Sequence, residues 1–235
     1  MHRVGLHGRS FLPMLMGLGC NVPAIMAAKD IKNTKDRTLT MLMVPFISCS
    51  ARLPVYMLFV DTFFESYKAL VMISLYAIGI LIAILFAIVM KRTKWFKQES
   101  SDHVNELPEF RMPKLKRVAA HVWERAEDYL QKIGTVIVWA SIIIWALQYF
   151  PQQDLSDIEH SYLAMIGQAI EPIMTPLGFD WKMSVCLLTG LPAKEAIVST
   201  LAILYGGDLS AAGFTPLTAF GFMVFVLLYF PCFAT

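Results

Sequence analysis

The sequence predicts an all-α, polytopic membrane protein with discontinuous helices, and three observations support this fold class. Of its 235 residues, 57% are hydrophobic and only 16% are charged, whereas roughly a quarter of the residues in a soluble domain are charged. The apolar residues form separate long stretches, most of them interrupted by proline, glycine or a charge. The formal net charge of +2 is too small to indicate a nucleic-acid-binding protein, and four scattered cysteines do not form a disulfide scaffold.

Two apolar stretches have no interruption. Residues 69–90 contain no charged residue and are followed directly by Lys91 and Arg92. Residues 133–150 form a second, slightly shorter stretch of the same kind. About 20 apolar residues in a helix are enough to cross a hydrocarbon core of roughly 30 Å. We therefore predict a transmembrane helix for each stretch.

The other four apolar stretches contain prolines together with glycines or polar residues. Proline removes a helical hydrogen bond and clashes with the preceding turn, so these segments are predicted to be broken helices. Broken backbone at membrane depth is tolerated only where protein covers it or where it lines a wet cavity. In transporters, such interrupted segments indicate the binding site. The four stretches are residues 10–28, 38–64, 184–205 and 215–235.

The distribution of Lys and Arg predicts the orientation, because these residues collect in cytoplasmic loops. Residues 29–37 hold four of them and residues 91–132 hold ten, out of 20 in the chain. Residues 151–183 hold one basic residue and five acidic ones. We therefore predict that the first two regions are cytoplasmic and the third is external. About six membrane segments follow, with an external N-terminus if residues 10–28 cross fully and are not re-entrant.

Two polar regions show the apolar periodicity of an amphipathic helix. In the cytoplasmic insert, this pattern predicts an interfacial helix that leads into the next span. In the external region, an apolar stripe is predicted to end at Pro172 and Pro176. The two stripes consist of Leu115, Val118, Val122, Ala126, Tyr129 and Ile133 in the insert, and of Tyr162, Ile166, Ala169 and Ile173 in the external region.

The first break places a thiol and an amide, Cys20 and Asn21, just before Pro23. A proline at this place suits the first turn of a new half-helix, and the carbonyls that precede it lose their helical partners. Freed carbonyls and a thiol together make a plausible cation site. The alternative is a kinked packing helix with an inert buried cysteine.

The second break contains Ser48, Cys49 and Arg52 ahead of Pro54. If the chain is helical up to Arg52, then Cys49 and Arg52 share a helix face, and the guanidinium favours the thiolate form of the cysteine. An arginine inside a membrane segment is usually functional or paired. The alternative is an arginine that extends its charged group to the membrane interface.

The third break contains Lys194 and Glu195, which point about 100° apart if they are helical and therefore need not pair with each other. Glu195 is a candidate ion ligand or proton acceptor, and the alternative is a structural pair with charges elsewhere in the bundle. The fourth break contains Cys232 directly after a proline, whereas Cys186 has no such context and is interpreted as a packing residue. Thiolates suit soft and borderline metals, including iron.

Several site classes have no motif in this sequence. We find no phosphate-binding GxxxxGK[ST] loop and no HExxH sequence, and no GxSxG sequence. No cysteine pair has the CxxC spacing of zinc or iron–sulfur sites. A cysteine site in this chain would therefore be assembled from distant segments, and no resident cofactor is predicted.

The broken segments resemble the ferrous iron transport protein B (FeoB) family throughout the chain. The resemblance is carried by GLGCNVPAIMAAKD at 17–30, PFISCSARLPVYMLF at 45–59, EPIMTPLGFDW at 171–181, LTGLPAKEAIVSTLAILYG at 188–206 and LLYFPC at 227–232. It implies the central and C-terminal permease portion of an Fe²⁺ importer, with two inverted Gate repeats, in the bacterial inner membrane. It also implies that the family's GTP-binding domain, the seat of its enzymatic activity, is not part of this chain.

The resemblance further implies roles for individual residues and a division of the chain. By position, Cys20, Cys49 and Cys232 match the proposed pore cysteines of the family, and Lys194 and Glu195 match its intramembrane charged pair. We expect Cys20, Cys49, Cys232 and Glu195 to contact the metal, with Asn21, Ser48, Arg52 and Lys194 lining or supporting the path. The predicted division is residues 1–90 with the first Gate repeat, residues 91–132 as the cytoplasmic insert, and residues 133–235 with the second repeat.

The expected partners are Fe²⁺ as the transported ion, the lipid bilayer, a GTP-binding domain that brings GTP, and small Feo accessory proteins. A homo-oligomer is compatible with the resemblance, and nucleic acid is not expected as a partner. Two alternatives to an Fe²⁺ permease portion remain. One is a fragment that inserts into the membrane without transporting. The other is an intramembrane enzyme that uses Cys49 as an activated thiol beside Arg52, although no histidine base lies in the apolar segments.

Overall fold

A computed structural model describes residues 8–93, 114–150, 161–206, 214–229 and 231–235, and within these ranges the chain is helical without strands. This confirms the predicted all-α fold class. The α-helices are α1 (Phe11–Gly17), α2 (Asn21–Ala28), α3 (Thr34–Met43), α4 (Leu53–Phe63), α5 (Lys68–Arg92), α6 (Leu115–Tyr149), α7 (Tyr162–Met174), α8 (Trp181–Thr189), α9 (Ala196–Leu204) and α10 (Pro216–Leu228).

The two uninterrupted stretches form the two longest helices, α5 and α6. Within the described ranges, three segments are long and apolar enough to cross a membrane, namely Thr34–Phe63, Lys68–Arg92 and Leu115–Tyr149. The remaining three predicted segments contain shorter helices. The number of about six membrane segments therefore stays a prediction.

Helix α6 joins the predicted interfacial helix and the next span into one continuous helix of 35 residues. The predicted boundary between residues 132 and 133 lies inside it, and residues 94–113 of the insert lie outside the described residues. None of the residues of α6 is fully buried. The half-buried residues Tyr129, Ile133, Ile137, Ala140 and Ile144 follow each other at steps of three and four, and residues 146–149 are half-buried as well. Helix α6 therefore contacts the rest of the protein along a narrow stripe that widens at its C-terminal end.

The predicted helix breaks are present, because short helices replace each interrupted stretch. Residues 10–28 form α1 and α2, and Cys20 between them has an extended backbone with φ −149° and ψ 134°. Pro23 lies in the first turn of α2, as predicted, where a missing N–H costs no helical hydrogen bond. Residues 184–205 fall in α8 and α9, which are separated by residues 190–195.

The second break is long, and the condition under which Cys49 and Arg52 would share a helix face, a helix up to Arg52, is not met. Helix α3 ends at Met43, a 3₁₀ turn covers Val44–Phe46, and Cys49 is extended with φ −85° and ψ 162°. Pro45 has no N–H to continue the helical hydrogen bonds, and a second 3₁₀ turn, Ser50–Arg52, leads into α4. Cys49 and Arg52 therefore do not share a helix face.

The prediction for the external stretch is wrong in two details. Helix α7 continues through Pro172 to Met174 and ends in a 3₁₀ turn, Thr175–Leu177. Its buried residues are Leu163, Ala164 and Gly167, whereas Tyr162 and Ile166 of the predicted stripe are exposed. Ala164 and Gly167 allow the helix backbone to approach its neighbour closely, and Leu163 packs beside them on the same buried face.

The main hydrophobic core joins the two halves of the chain. Its buried side chains come from α4 and α5 of the first half and from α8, α9 and α10 of the second half, and Tyr56, Phe59, Leu75, Met183, Ile197 and Phe222 are among them. A smaller cluster joins α3 to α5 through Leu39, Met43, Ala83 and Ala87. The core therefore places the breaks that follow α3 and α8 in the same part of the molecule.

Candidate metal path at the helix breaks

The first two breaks are bonded directly to each other. The Gly19 carbonyl accepts a hydrogen bond from the Ser50 backbone N–H at 3.1 Å and a second from the Ser50 hydroxyl at 2.7 Å. Gly19 directly precedes Cys20, and Ser50 directly follows Cys49. These two bonds therefore bring the two cysteine-bearing segments together, although 31 positions separate the bonded residues in the sequence.

Arg52 stabilises the second break from inside the protein. Its side chain is 1% exposed, which contradicts the interpretation of an arginine that reaches to the interface. Its guanidinium donates to the carbonyls of Pro45 and Ile47, each at 3.3 Å. Broken backbone inside a membrane needs internal partners for its carbonyls, and Arg52 provides two of them. This geometry removes the basis for a thiol enzyme in which Arg52 activates Cys49 on one helix face.

Two further predicted residues near these breaks are buried. The Ser48 hydroxyl lies 3.2 Å from the Tyr56 hydroxyl, with which it shares a hydrogen bond. Asn21 is 4% exposed, and its Oδ1 atom has no hydrogen-bond partner among the described residues. A buried acceptor without a partner costs about 1–3 kcal/mol, so Asn21 is a position where an arriving donor or cation would be favourable.

The third break holds a buried cation over an aromatic ring. Lys194 is 3% exposed, and its Nζ atom lies 3.3 Å from the centroid of the Tyr229 ring. Lys194 also lies within electrostatic range of Arg52, Cys49 and Cys232. The third break thus faces the second break and the C-terminal cysteine.

Glu195 lies on the other side of the same turn from Lys194. Its side chain is exposed, and no salt bridge joins it to another side chain within the described ranges. The expectation that Lys194 and Glu195 need not pair with each other agrees with this geometry. The structure does not bring Glu195 into contact with the three predicted cysteines.

The C-terminal segment returns to the third break. The Phe233 N–H donates to the Leu191 carbonyl at 3.0 Å, and the Cys232 Sγ atom lies 3.1 Å from the Thr235 hydroxyl. The Phe233 side chain also lines an apolar cavity of about 390 Å³ between α6, α7 and α8. The backbone contact explains how Cys232, distant in the sequence, reaches the neighbourhood of Lys194.

One residue at the site was not singled out by the sequence analysis as functional. The Tyr129 hydroxyl donates a hydrogen bond to the Cys20 Sγ atom at 3.8 Å, across 109 positions of sequence. Tyr129 belongs to the predicted apolar stripe of the insert. The available signal was its hydroxyl, the only polar group in that stripe.

The cysteines do not form a preassembled metal centre. Among the residues that the structure describes, no group of three or more His, Cys, Asp and Glu side chains is placed to hold a metal ion. All four cysteines are free, and Cys20, Cys49 and Cys232 are half-buried while Cys186 is fully buried. The assignment of Cys20, Cys49, Cys232 and Glu195 as metal ligands therefore stays a prediction.

The long apolar helices and the hydrogen-bonded breaks between shorter ones define a multi-pass helical membrane protein. Two family models match the chain. The Gate model, described as "Nucleoside recognition", matches residues 1–63 and 130–235. The FeoB_C model, described as "Ferrous iron transport protein B C terminus", matches residues 72–125. The chain belongs to the Gate family, and its whole length is similar to proteins of the ferrous iron transport protein B (FeoB) kind.

Individual relatives agree with the family models. The whole chain is 43% identical to the "Fe(2+) transport protein A/Fe(2+) transporter FeoB fusion protein" of Porphyromonas gingivalis and covers 34% of it. It is 44% identical to the "Fe(2+) transporter FeoB" of Staphylococcus aureus and 41% identical to that of Methanocaldococcus jannaschii, of which it covers 36% and 37%. The chain thus spans about a third of the length of these relatives. No solved structure matches it significantly.

The matched ranges bear on the division of the chain without deciding it. The Gate match leaves out residues 64–129, and the FeoB_C match covers most of that gap. The predicted division at residues 90 and 132 therefore stays a prediction.

Proposed function

We propose that this chain is the permease portion of a ferrous iron importer and that Fe²⁺ passes through it at the joined helix breaks. The observation that carries the proposal is the pair of hydrogen bonds from Ser50 to the Gly19 carbonyl, because they bring Cys20 and Cys49 to one junction. The names of the relatives, which are Fe(2+) transporters, supply the identity of the ion.

The cysteines act as successive ligands in this proposal. Ferrous ion is of borderline softness, so thiol and carbonyl ligands both suit it. An ion that must leave again is better served by weak, multiple sites than by one closed site. Cys20 and Cys49 at the joined breaks and Cys232 at the third break provide such a series, and Glu195, whose side chain is exposed, would act as a ligand only where the ion enters or leaves.

The supporting residues have different tasks. Arg52 holds the carbonyls of the second break, and Ser48 bonds to Tyr56 within the same region. Asn21 offers a buried, unpartnered oxygen atom beside Cys20. Lys194 places a buried amino group within electrostatic range of Cys49 and Cys232, and a protonated amine there would favour the thiolate form of these cysteines.

The proposal includes a membrane and partners outside this chain. We place the protein in the cytoplasmic membrane, with the basic regions 29–37 and 91–132 on the cytoplasmic side. In agreement with this orientation, Arg125 of the second region lies 3.6 Å from Asp30 of the first. We propose no enzymatic activity for this chain, and GTP acts through a GTP-binding domain. The fusion in the P. gingivalis relative favours a small FeoA-type accessory protein as a second partner.

Uptake of labelled Fe²⁺ under anaerobic conditions by bacterial cells that express the protein tests the proposal. We expect Cys20→Ser and Cys49→Ser to lower uptake by about tenfold or more, comparable to the loss from damaging a metal site. The matched control is Cys186→Ser, a buried core thiol, which should leave uptake unchanged. Full uptake in both of the first two variants would contradict the metal path. Expression without any uptake above that of cells lacking the protein would favour the non-transporting fragment.

A further inference from the structure

Helix α6 reaches the thiol of Cys20 with a single side chain. The Tyr129 hydroxyl donates to Cys20 Sγ at 3.8 Å. Tyr129 also lies within electrostatic range of both Cys20 and Cys232. Its side chain is half-buried, so it stands at the boundary of the site and is not packed into a core.

A second contact ties the same helix to the other end of α2. Arg125 lies one turn before Tyr129 on α6 and therefore shares its face. Its guanidinium lies 3.6 Å from the carboxylate of Asp30, two residues beyond the end of α2. Cys20 directly precedes α2. Helix α6 therefore contacts both ends of α2 through a polar side chain, with Tyr129 at the N-terminal end and Arg125 at the C-terminal end.

Helix α6 is otherwise weakly held. It has no fully buried residue, and ahead of residue 146 it meets the protein only along the stripe of half-buried residues that begins at Tyr129. Its N-terminal part belongs to the region predicted to be cytoplasmic. A displacement of that part would separate Tyr129 from Cys20 without disrupting the hydrophobic core, whose buried residues do not include α6.

We propose that Tyr129 is a gate residue for Cys20, and that the Arg125–Asp30 pair holds this gate closed. While the Tyr129 hydroxyl is bonded to the thiol, it occupies one direction from which an ion would approach the sulfur atom. Movement of α6 removes the phenol and exposes the ligand. The inference rests on the proposed function in that Cys20 is taken as a metal ligand, but the contact itself is tested independently of transport.

The test is the rate at which a water-soluble maleimide alkylates Cys20 in the purified chain in detergent micelles. Cys49 and Cys232 are replaced by serine in every sample, so that Cys20 and the fully buried Cys186 are the thiols that remain. Mass spectrometry of peptides separates the two labels. Labelling of Cys186 reports loss of the fold, because this thiol is inaccessible in the folded protein.

Three substitutions are compared in this background. Tyr129→Phe keeps the ring and removes the hydrogen bond, and we expect it to raise the Cys20 rate roughly threefold to tenfold, the size of one net hydrogen bond. Tyr129→Ala removes the ring as well and should raise the rate further. Arg125→Ala should raise it in the same direction without altering Tyr129. The matched control is Tyr149→Phe, a tyrosine at the far end of the same helix, which should leave the rate unchanged.

An unchanged Cys20 rate in Tyr129→Phe would overturn the gate, as would an equal increase in Tyr149→Phe. If Tyr129→Ala also raises the labelling of Cys186, that variant has lost its fold, and the decision rests on Tyr129→Phe. Co²⁺ added as the probe metal separates this inference from the proposed function. If Co²⁺ protects Cys20 from alkylation, and does so at a lower concentration in Tyr129→Phe than in the parent protein, both the gate and the metal path are supported. If Tyr129→Phe speeds alkylation but Co²⁺ protects Cys20 in no variant, the gate is retained and the metal path is contradicted.

Discussion

The joined first and second breaks and the third break solve the same physical problem in different ways. At the joined breaks, carbonyls without helical partners accept hydrogen bonds from side chains. Ser50 donates to Gly19, and Arg52 donates to Pro45 and Ile47. At the third break, the chain is held by close packing and by a buried cation over an aromatic ring, Lys194 on Tyr229. Polar bonds give the first junction a defined geometry beside its two cysteines, whereas the third break provides charge.

Replacement of Arg52 should have the largest effect on stability. In Arg52→Leu the carbonyls of buried Ile47 and half-buried Pro45 lose their donor, and an unsatisfied buried acceptor costs about 1–3 kcal/mol. We expect equilibrium unfolding in detergent micelles to show a loss of roughly 2–5 kcal/mol in the free energy of unfolding.

The matched control is Arg125→Leu, because Arg125 has a half-exposed side chain in a surface pair. Surface pairs contribute about 0–1 kcal/mol. Equal losses in the two arginine variants would show that the second break does not depend on its guanidinium.

Filling the space at Gly190 should have an intermediate effect and test the packing of the third break. A Cβ atom at this position would collide with Ile197 and lie 2.8 Å from the Tyr229 hydroxyl. Overpacking of this kind costs typically about 1–3 kcal/mol, so Gly190→Ala should lower the free energy of unfolding by that amount. The same measurement on Gly134→Ala is the control, since nothing lies within 4 Å of a Cβ atom there and alanine favours the helix by up to about 1 kcal/mol. A stability of Gly190→Ala equal to that of Gly134→Ala would refute close packing as the basis of the third break.

Removal of one hydroxyl from each region should give the smallest effects and the sharpest contrast. The Ser50 hydroxyl is bonded to Gly19 at 2.7 Å, whereas the Tyr229 hydroxyl has no hydrogen-bond partner among the described residues. Ser50→Ala should therefore lose about 1 kcal/mol, and Tyr229→Phe, which keeps the ring beneath Lys194, should stay within roughly 0.5 kcal/mol of the parent protein. A larger loss in Tyr229→Phe than in Ser50→Ala would reverse the comparison between the two regions.

Much of the fold could be predicted because its main signals are local. The long apolar runs of α5 and α6, and the prolines at the breaks, act through helix length and through the missing N–H of proline. The details that failed are those in which tertiary packing competes with local pattern. The packed face of α7 uses Leu163, Ala164 and Gly167 rather than Tyr162 and Ile166 of the predicted stripe, and the second break extends well ahead of Arg52.

The candidate site could be predicted only as a set of residues. Sequence motifs identified Cys20, Cys49 and Cys232, but the gate residue Tyr129 was recognised only as part of a stripe. Its contact with Cys20 spans 109 positions, and no local pattern records such a pairing. Glu195 shows the converse, because its place beside Lys194 in the sequence says nothing about the side to which its carboxylate is turned.

The sequence by itself determined that this chain belongs in a lipid membrane, where its helices break and which residue types lie at those breaks. These properties follow from apolar content and from backbone chemistry at single residues. Only the tertiary structure decided which partners satisfy the broken backbone and which thiols share a junction. The Ser50 bonds to Gly19, the Arg52 bonds to two carbonyls and the Lys194 contact with Tyr229 all depend on distant segments meeting in space, and such meetings are selected by the packing of the whole core.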